Sequence, residues 1–211
     1  SEHRVLHSFP TRRSSDLEIG KRLAKEFNID FYDKELITLA AKESGFSEEI
    51  LKENDENHNG SFLYSLVMGT YTGGNNLPLN HKLFLAQFDT IKKLAEEKSC
   101  VIIGRCADYA LEYNPNCVKV FIHAVIDSRK KRAIEEYGVS PDKVEEVIKK
   151  TDKKRESYYN FYTGKKWGLM ENYDITINSS FSGIDGAVRV IADLDRKSTR
   201  LNSSHSEIDR M

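Results

Sequence analysis

Two short apolar runs, "CVIIG" at residues 100–104 and "CVKVFIHA" at 117–124, restrict this chain more than any other feature. A continuous apolar run of four to eight residues closed by a turn signal reads as a strand buried on both faces. The segments around them have the helical period instead. Leu17, Ile19, Leu23, Ala24 and Phe27 share a face, as do Leu83, Phe84, Phe88, Ile91, Leu94 and Ala95. Further helices are predicted over 33–44, with Asp33 as N-cap and Gly45 as stop, and over 127–138, ended by Gly138. Another starts at Ser140 with Pro141 in its first position, and a last one covers 183–194. Ile29 and Phe31 alternate in "NIDFYD", and Ile175 and Ile177 in "YDITINSS", which adds two short strands. Helix alternating with strand predicts an α/β fold: a parallel sheet with helices on both faces. Four strands are legible. The strand that should feed the first helix is not among them.

The chain has 211 residues, enough for one domain with a small insert. A net charge of −1 gives no reason to expect nucleic acid or an anionic membrane as partner. Cys100, Cys106 and Cys117 form no CxxC pair and no metal spacing, so burial as small hydrophobes in a reducing, cytoplasmic setting is expected. His58, His81 and His123 are isolated, and no metal site is predicted. No apolar run approaches the roughly 20 residues that span a bilayer, and residues 1–17 lack the apolar core of a signal peptide.

Both ends are polar and aperiodic. "FPTRRSSDL" (9–17) and "DRKSTRLNSSH" (195–205) resemble translated sequencing-adaptor oligonucleotides. Residues 1–17 and 195–211 are therefore expected to be non-native tails around a domain at 18–194. "SSDLEIGKRLAKEF" nevertheless opens like the helix that follows a phosphate loop. Gly20-Lys21 is not that loop, because GxxxxGK[ST] fails upstream and Arg22 stands where Ser or Thr is needed. Gly20 is expected to allow close helix packing.

Four stretches carry a family resemblance: "EIGKRLAKEFNIDFYDKEL", "GGNNLPLNHKLFLAQFDTIKKLAEEKSCVIIGRCADYAL", "VFIHA" and "DKKRESYYNFYTGKKWG". Over about residues 18–192 the chain resembles the cytidylate-kinase-like family of P-loop nucleoside monophosphate kinases. The resemblance implies a P-loop NTPase-like sheet, a monophosphate-binding insert near 46–80 and a lid near 150–168. It implies transfer of the ATP γ-phosphate, as the Mg2+ complex, to CMP, dCMP or a similar acceptor. Relatives of this kind carry a loop like G-S-G-G before "EIGKRLA". Here the tail occupies that place, so the first strand and loop are expected to be missing and the chain inactive. The alternative is a kinase-like module that senses a nucleotide without catalysis. Nucleotides are the expected partners, and the oligomeric state is not legible.

Arg105 follows a buried strand and a glycine. That places a planar cation at the carboxyl end of the sheet, where open α/β folds bind ligands, in a form suited to a phosphate. The family motif there is GRD; this chain has Gly104-Arg105-Cys106, so the Asp role is absent or passed to Asp108. Asp152, Lys153, Lys154 and Arg155 form a compact cluster that the resemblance places in the lid, with fewer arginines than usual. Arg155 is then expected on phosphates, Lys154 on substrate, and Asp152 as a base or ribose contact; an exposed helix end is the other reading. Arg129 and Arg132 lie three apart on one helix face. The resemblance implies that they face ATP, and a solvated basic face would look the same. Asp33 and Lys34 follow the second strand, where the family approaches the acceptor nucleoside, although Asp33 can also be a simple cap. Gly69, Gly73 and Gly74 are read as a loop of the insert. Tyr158, Tyr159, Phe161, Tyr162 and Trp167 beside Lys165 and Lys166 could stack nucleic-acid bases. Without a wider basic field, packing of the lid over a helix is expected.

Overall fold

The computed structural model describes residues 5–9, 15–33, 36, 39 and 79–208, with side chains described within 15–33, 36, 39 and 80–197. The predicted helix over 33–44, the bulk of the insert at 46–80, and Lys34, His58, Gly69, Gly73 and Gly74 lie outside those residues, apart from Asp33, Leu36, Leu39 and the end of the insert.

Among the described residues, five parallel strands form one sheet in the order β2-β3-β1-β4-β5. They are β1 (Val5–Phe9), β2 (Asp30–Tyr32), β3 (Cys100–Ile103), β4 (Cys117–His123) and β5 (Ile175–Asn178). The expectation of a missing first strand is corrected here: β1 holds the centre, with Val5 opposite both Cys100 and Cys117. Strand pairing uses backbone N–H and C=O groups that any non-proline residue supplies, so a short mixed segment can fill the slot between β3 and β4. Val5–Ser8 also precede the adaptor-like stretch. Pro10, which has no N–H for a ladder, stands one residue past the strand.

Alternation along β3 divides the core. Val101 and Ile103 face α1 (Ser15–Phe27) and α6 (Ser179–Ile208), packing with Ile19, Leu23, Ala187 and Ile191. Cys100 and Ile102 face the other way, toward α2 (Leu79–Glu97) and α3 (Ala107–Ala110), with Ile91, Leu94 and Leu111. Both faces are thus covered, as the unbroken apolar run predicts.

Gly20 meets the close-packing expectation. A Cβ built there would lie 2.8 Å from Ile103 Cδ1 and 3.0 Å from Phe31 Cε2. An alanine inside a helix normally gains about 0.5–1 kcal/mol over glycine. Ile103 is itself buried, and overpacking costs about 1–3 kcal/mol, so the clash outweighs the propensity gain. Gly20→Ala should therefore lower Tm by a few degrees, and a melting curve with unchanged or higher Tm would refute the packing role.

Two more helices follow the sheet, α4 (Ile126–Glu135) and α5 (Val144–Thr163). The end of α4 is a glycine stop: Gly138 has φ 64°, its N–H reaches Ile134 O at 3.1 Å, and Val139 N–H reaches Ala133 O at 3.1 Å. The helix predicted from Pro141 begins at Val144, because Ser140–Lys143 close a separate turn (Lys143 N to Ser140 O, 3.0 Å). Most of the stretch expected as a lid, 150–163, continues α5 without a break until Gly164 at φ 67°. At the far end, α6 breaks helical geometry at Gly183 and then runs to Ile208. The helix predicted over 183–194 is therefore longer than expected: Asp195 is buried, and the helix begun by Ala187, Val188 and Ile191 propagates through residues that keep helical backbone.

Candidate active site

The carboxyl edge of the sheet gathers the ends of five strands. Asp33 follows β2, Gly104–Cys106 follow β3, Val125 and Ile126 follow β4, and Ser179 follows β5. Ser179 Oγ donates to His123 O at 3.1 Å, so the 2.8 Å bond between Ser15 and Ser179 is donated by the Ser15 hydroxyl. Val125 N–H donates to Ser180 Oγ at 3.0 Å. These bonds tie the start of α1 to the ends of β4 and β5.

Three successive residues after β3 have left-handed backbones: Gly104 at φ 77°, Arg105 at φ 61° and Cys106 at φ 55°. Glycine takes this conformation freely; a non-glycine pays about 1–2 kcal/mol for it. Strain of that kind persists only where surrounding structure enforces it, and it concentrates at functional turns. Cys106 is clamped in the core, and its carbonyl receives the N–H groups of Tyr109 and Ala110, both at 3.0 Å. The turn holds half-buried Arg105 at the sheet edge.

The helix pair α4–α5 supplies the other cations. Arg129 forms a two-pronged bridge to Asp152, Nη1 to Oδ2 at 2.8 Å and Nη2 to Oδ1 at 2.7 Å. Arg155 Nη1 lies 4.0 Å from the same Oδ1. All three side chains are largely shielded, with 19–26 % exposure. The structure thus unites Arg129, Asp152 and Arg155, drawn from two different role assignments, into one Arg–Asp–Arg group. Arg132 stands apart from it and pairs with Glu136 one turn along its own helix, at 2.9 Å. Lys154 is half-buried on α5, and Lys153 is exposed.

The aromatic stretch packs inward. Tyr162 stacks on Phe84 of α2 at 4.1 Å between ring centroids and donates to Asn80 O at 3.1 Å. Trp167 meets Phe121 edge-on at 5.9 Å. Sequence reasoning did not find the contact beneath it. Tyr159 OH donates to Asp108 Oδ2 at 2.7 Å, with both residues buried and 51 positions apart. Burial holds the Tyr159 hydroxyl far above the ordinary phenol range, with the Asp108 carboxylate adding to it. The only hint in the sequence was a carboxylate inside the otherwise apolar "CADYAL".

The sequence between β1 and α1 lacks the glycines of a phosphate loop. Residues 10–14 read Pro-Thr-Arg-Arg-Ser, without a glycine. The first turn of α1 holds Asp16, only 1 % exposed. A buried carboxylate takes up the favourable end of the helix dipole and opposes a second anion there.

The three cysteines are free and buried. Burial pushes the Cys100 and Cys117 thiols up to about 12, and the Cys106 thiol well up. The thiolate is the reactive form. In the native chain at pH 8 a thiol reagent such as dithionitrobenzoate should titrate none of them, and all three after denaturation. Rapid native labelling would contradict the packing described.

The family model described as the cytidylate kinase-like family matches residues 14–181, leaving out β1. A crystal structure of an uncharacterized protein from Eubacterium ventriosum is similar at TM-score 0.68 and 28 % identity, over 92 % of this chain and 99 % of that one. Shikimate kinase from Bacteroides thetaiotaomicron is similar at TM-score 0.52 and 16 % identity, over 91 % of this chain and 97 % of its own, a likeness of fold. No curated protein matches the chain. Among the described residues no helix is long and apolar enough to cross a membrane.

Proposed function

We infer that this chain, which belongs to the cytidylate kinase-like family, carries the acceptor side of a nucleoside monophosphate kinase but not a working grip on ATP. The acceptor is CMP, dCMP or a similar monophosphate. The observation that carries this is the strained Gly104–Arg105–Cys106 turn, which spends backbone energy to hold a guanidinium at the carboxyl edge of the sheet.

The chemistry follows from placement. Phosphoryl transfer needs the acceptor phosphate oxygen in line with the γ-phosphorus, and the protein contributes positioning and charge neutralisation. Arg105 and Arg155 bind the acceptor phosphate, with Lys154 beside them, and Asp33 and Lys34 approach its nucleoside. Both oxygens of Asp152 accept from Arg129, so its role is to orient the two arginines rather than to take a proton. In a chain with an intact phosphate loop, Arg129 and Arg132 would face Mg2+-ATP. Free buried thiols suit a reducing cytoplasm. A nucleotide sensor is the second reading, favoured by the glycine-free loop and buried Asp16.

Calorimetric titration with CMP and with cytidine tests the assignment. CMP should bind at least about tenfold more tightly, the margin expected from even one charge-assisted contact to the phosphate. Equal affinities would remove the phosphate-binding role of Arg105 and Arg155.

A further inference from the structure

We propose that Tyr159 and Asp108 form a positioning pair that holds Arg155 in register with the Arg105 turn, so that both guanidiniums act on one phosphate. This rests on the reading above that the site takes a phosphate monoester.

Asp108 lies three residues past Arg105, on α3. Its carboxylate is 2 % exposed and takes the Tyr159 hydroxyl at 2.7 Å. Tyr159 lies one helical turn past Arg155 on α5, and Asp152 lies nearly one turn before it. The spacing 152, 155, 159 puts all three on one face. Arg155 therefore sits between two anchors. One is Asp152, itself forked by Arg129 of α4. The other is Tyr159, fixed to Asp108 of α3, which follows the Arg105 turn directly. Remove the second anchor and the half of α5 beyond Asp152 keeps its aromatic packing and its Tyr158 and Tyr162 hydrogen bonds to α2, but loses this tie to α3.

Stability alone does not account for the pair. A buried carboxylate is costly to desolvate, and an apolar pair of the same volume commonly serves a core as well or better. What the bond adds is direction: a short charge-assisted contact is geometrically specific, and phosphate recognition by two arginines depends on placement. It also ties α3 down just after two strained left-handed residues.

The test is titration of the full chain with CMP and with cytidine. Tyr159→Phe keeps the ring and removes the hydroxyl. It should cut CMP affinity about tenfold or more while leaving cytidine affinity unchanged. Asp108→Asn still presents an oxygen acceptor and should stay within about threefold of the original, whereas Asp108→Leu should match Tyr159→Phe. Should Tyr159→Phe not fold, the Asn–Leu comparison at Asp108 decides by the same two titrations. Unchanged CMP binding in Tyr159→Phe overturns the proposal, and so does a parallel fall in CMP and cytidine affinity, which marks a merely structural bond. If the unaltered chain does not prefer CMP over cytidine, the phosphate-monoester reading itself fails and takes this pair with it.

Discussion

Turnover of CMP by the chain as it stands should be undetectable in a coupled ADP-release assay, and replacing residues 10–17 with a glycine-rich turn should raise it to about 1–100 per second, the ordinary kinase range. The framework for the turn is present. β1 lies at the centre of the sheet and α1 begins at Ser15, so a strand and a helix N-terminus already face each other across a short connection. What the sequence of that connection does not supply is glycine. A phosphate cradle is made of converging backbone N–H groups in turns that glycine adopts freely. "PTRRSSDL" offers a proline without an N–H and no glycine. Asp16 adds a buried negative charge at the helix start. Loss of one preorganised donor costs about 10²–10³ in rate, so the proposed loss of the phosphate grip predicts a larger deficit. Ordinary turnover by the unaltered chain would contradict the claim outright. A grafted chain that binds both nucleotides yet transfers nothing would favour the sensor reading.

Arg155→Ala should lower CMP affinity about 10–100-fold, with Arg105→Ala close behind, while cytidine binding holds. A hydrogen bond to a charged group is worth about 1.5–3 kcal/mol, or about one to two decades in affinity. The substitution at 155 should leave the fold intact, because the Arg129–Asp152 fork that joins α4 to α5 does not need it. Arg155→Lys should recover only part of the loss, since an ammonium cannot reproduce the planar fork. Arg196→Ala removes an exposed bridge to Glu26 on the α1–α6 side and serves as the control, with unchanged binding expected. Equal effects at 155 and 196 would mean that CMP feels only net charge.

The parts of this structure that were legible in the sequence are those with local causes. β3 and β4 announce themselves because burial on both faces demands unbroken apolar runs. Gly138 marks the end of α4 because only that turn geometry needs it. β1 was not legible: "VLHSF" has no pattern of its own, and its place is decided by the gap between two other strands. The length of α6 was missed for a related reason, since a helix started by a packed face runs on through polar residues with little signal. The couplings at the candidate site were hidden by sequence distance. Arg129 meets Asp152 across 23 positions and Asp108 meets Tyr159 across 51. No periodicity reports such pairs, and only the packing of α3, α4 and α5 brings them together.

The most direct measurement is a calorimetric titration of one sample, first with CMP and then with Mg2+-ATP. A phosphate-monoester grip that survives beside a lost triphosphate grip predicts saturable heat for CMP, with Kd in the span of about 1 μM to 1 mM common for enzyme substrates, and no saturable heat for Mg2+-ATP up to millimolar concentration. Micromolar binding of Mg2+-ATP to the unaltered chain, with or without CMP, would contradict it.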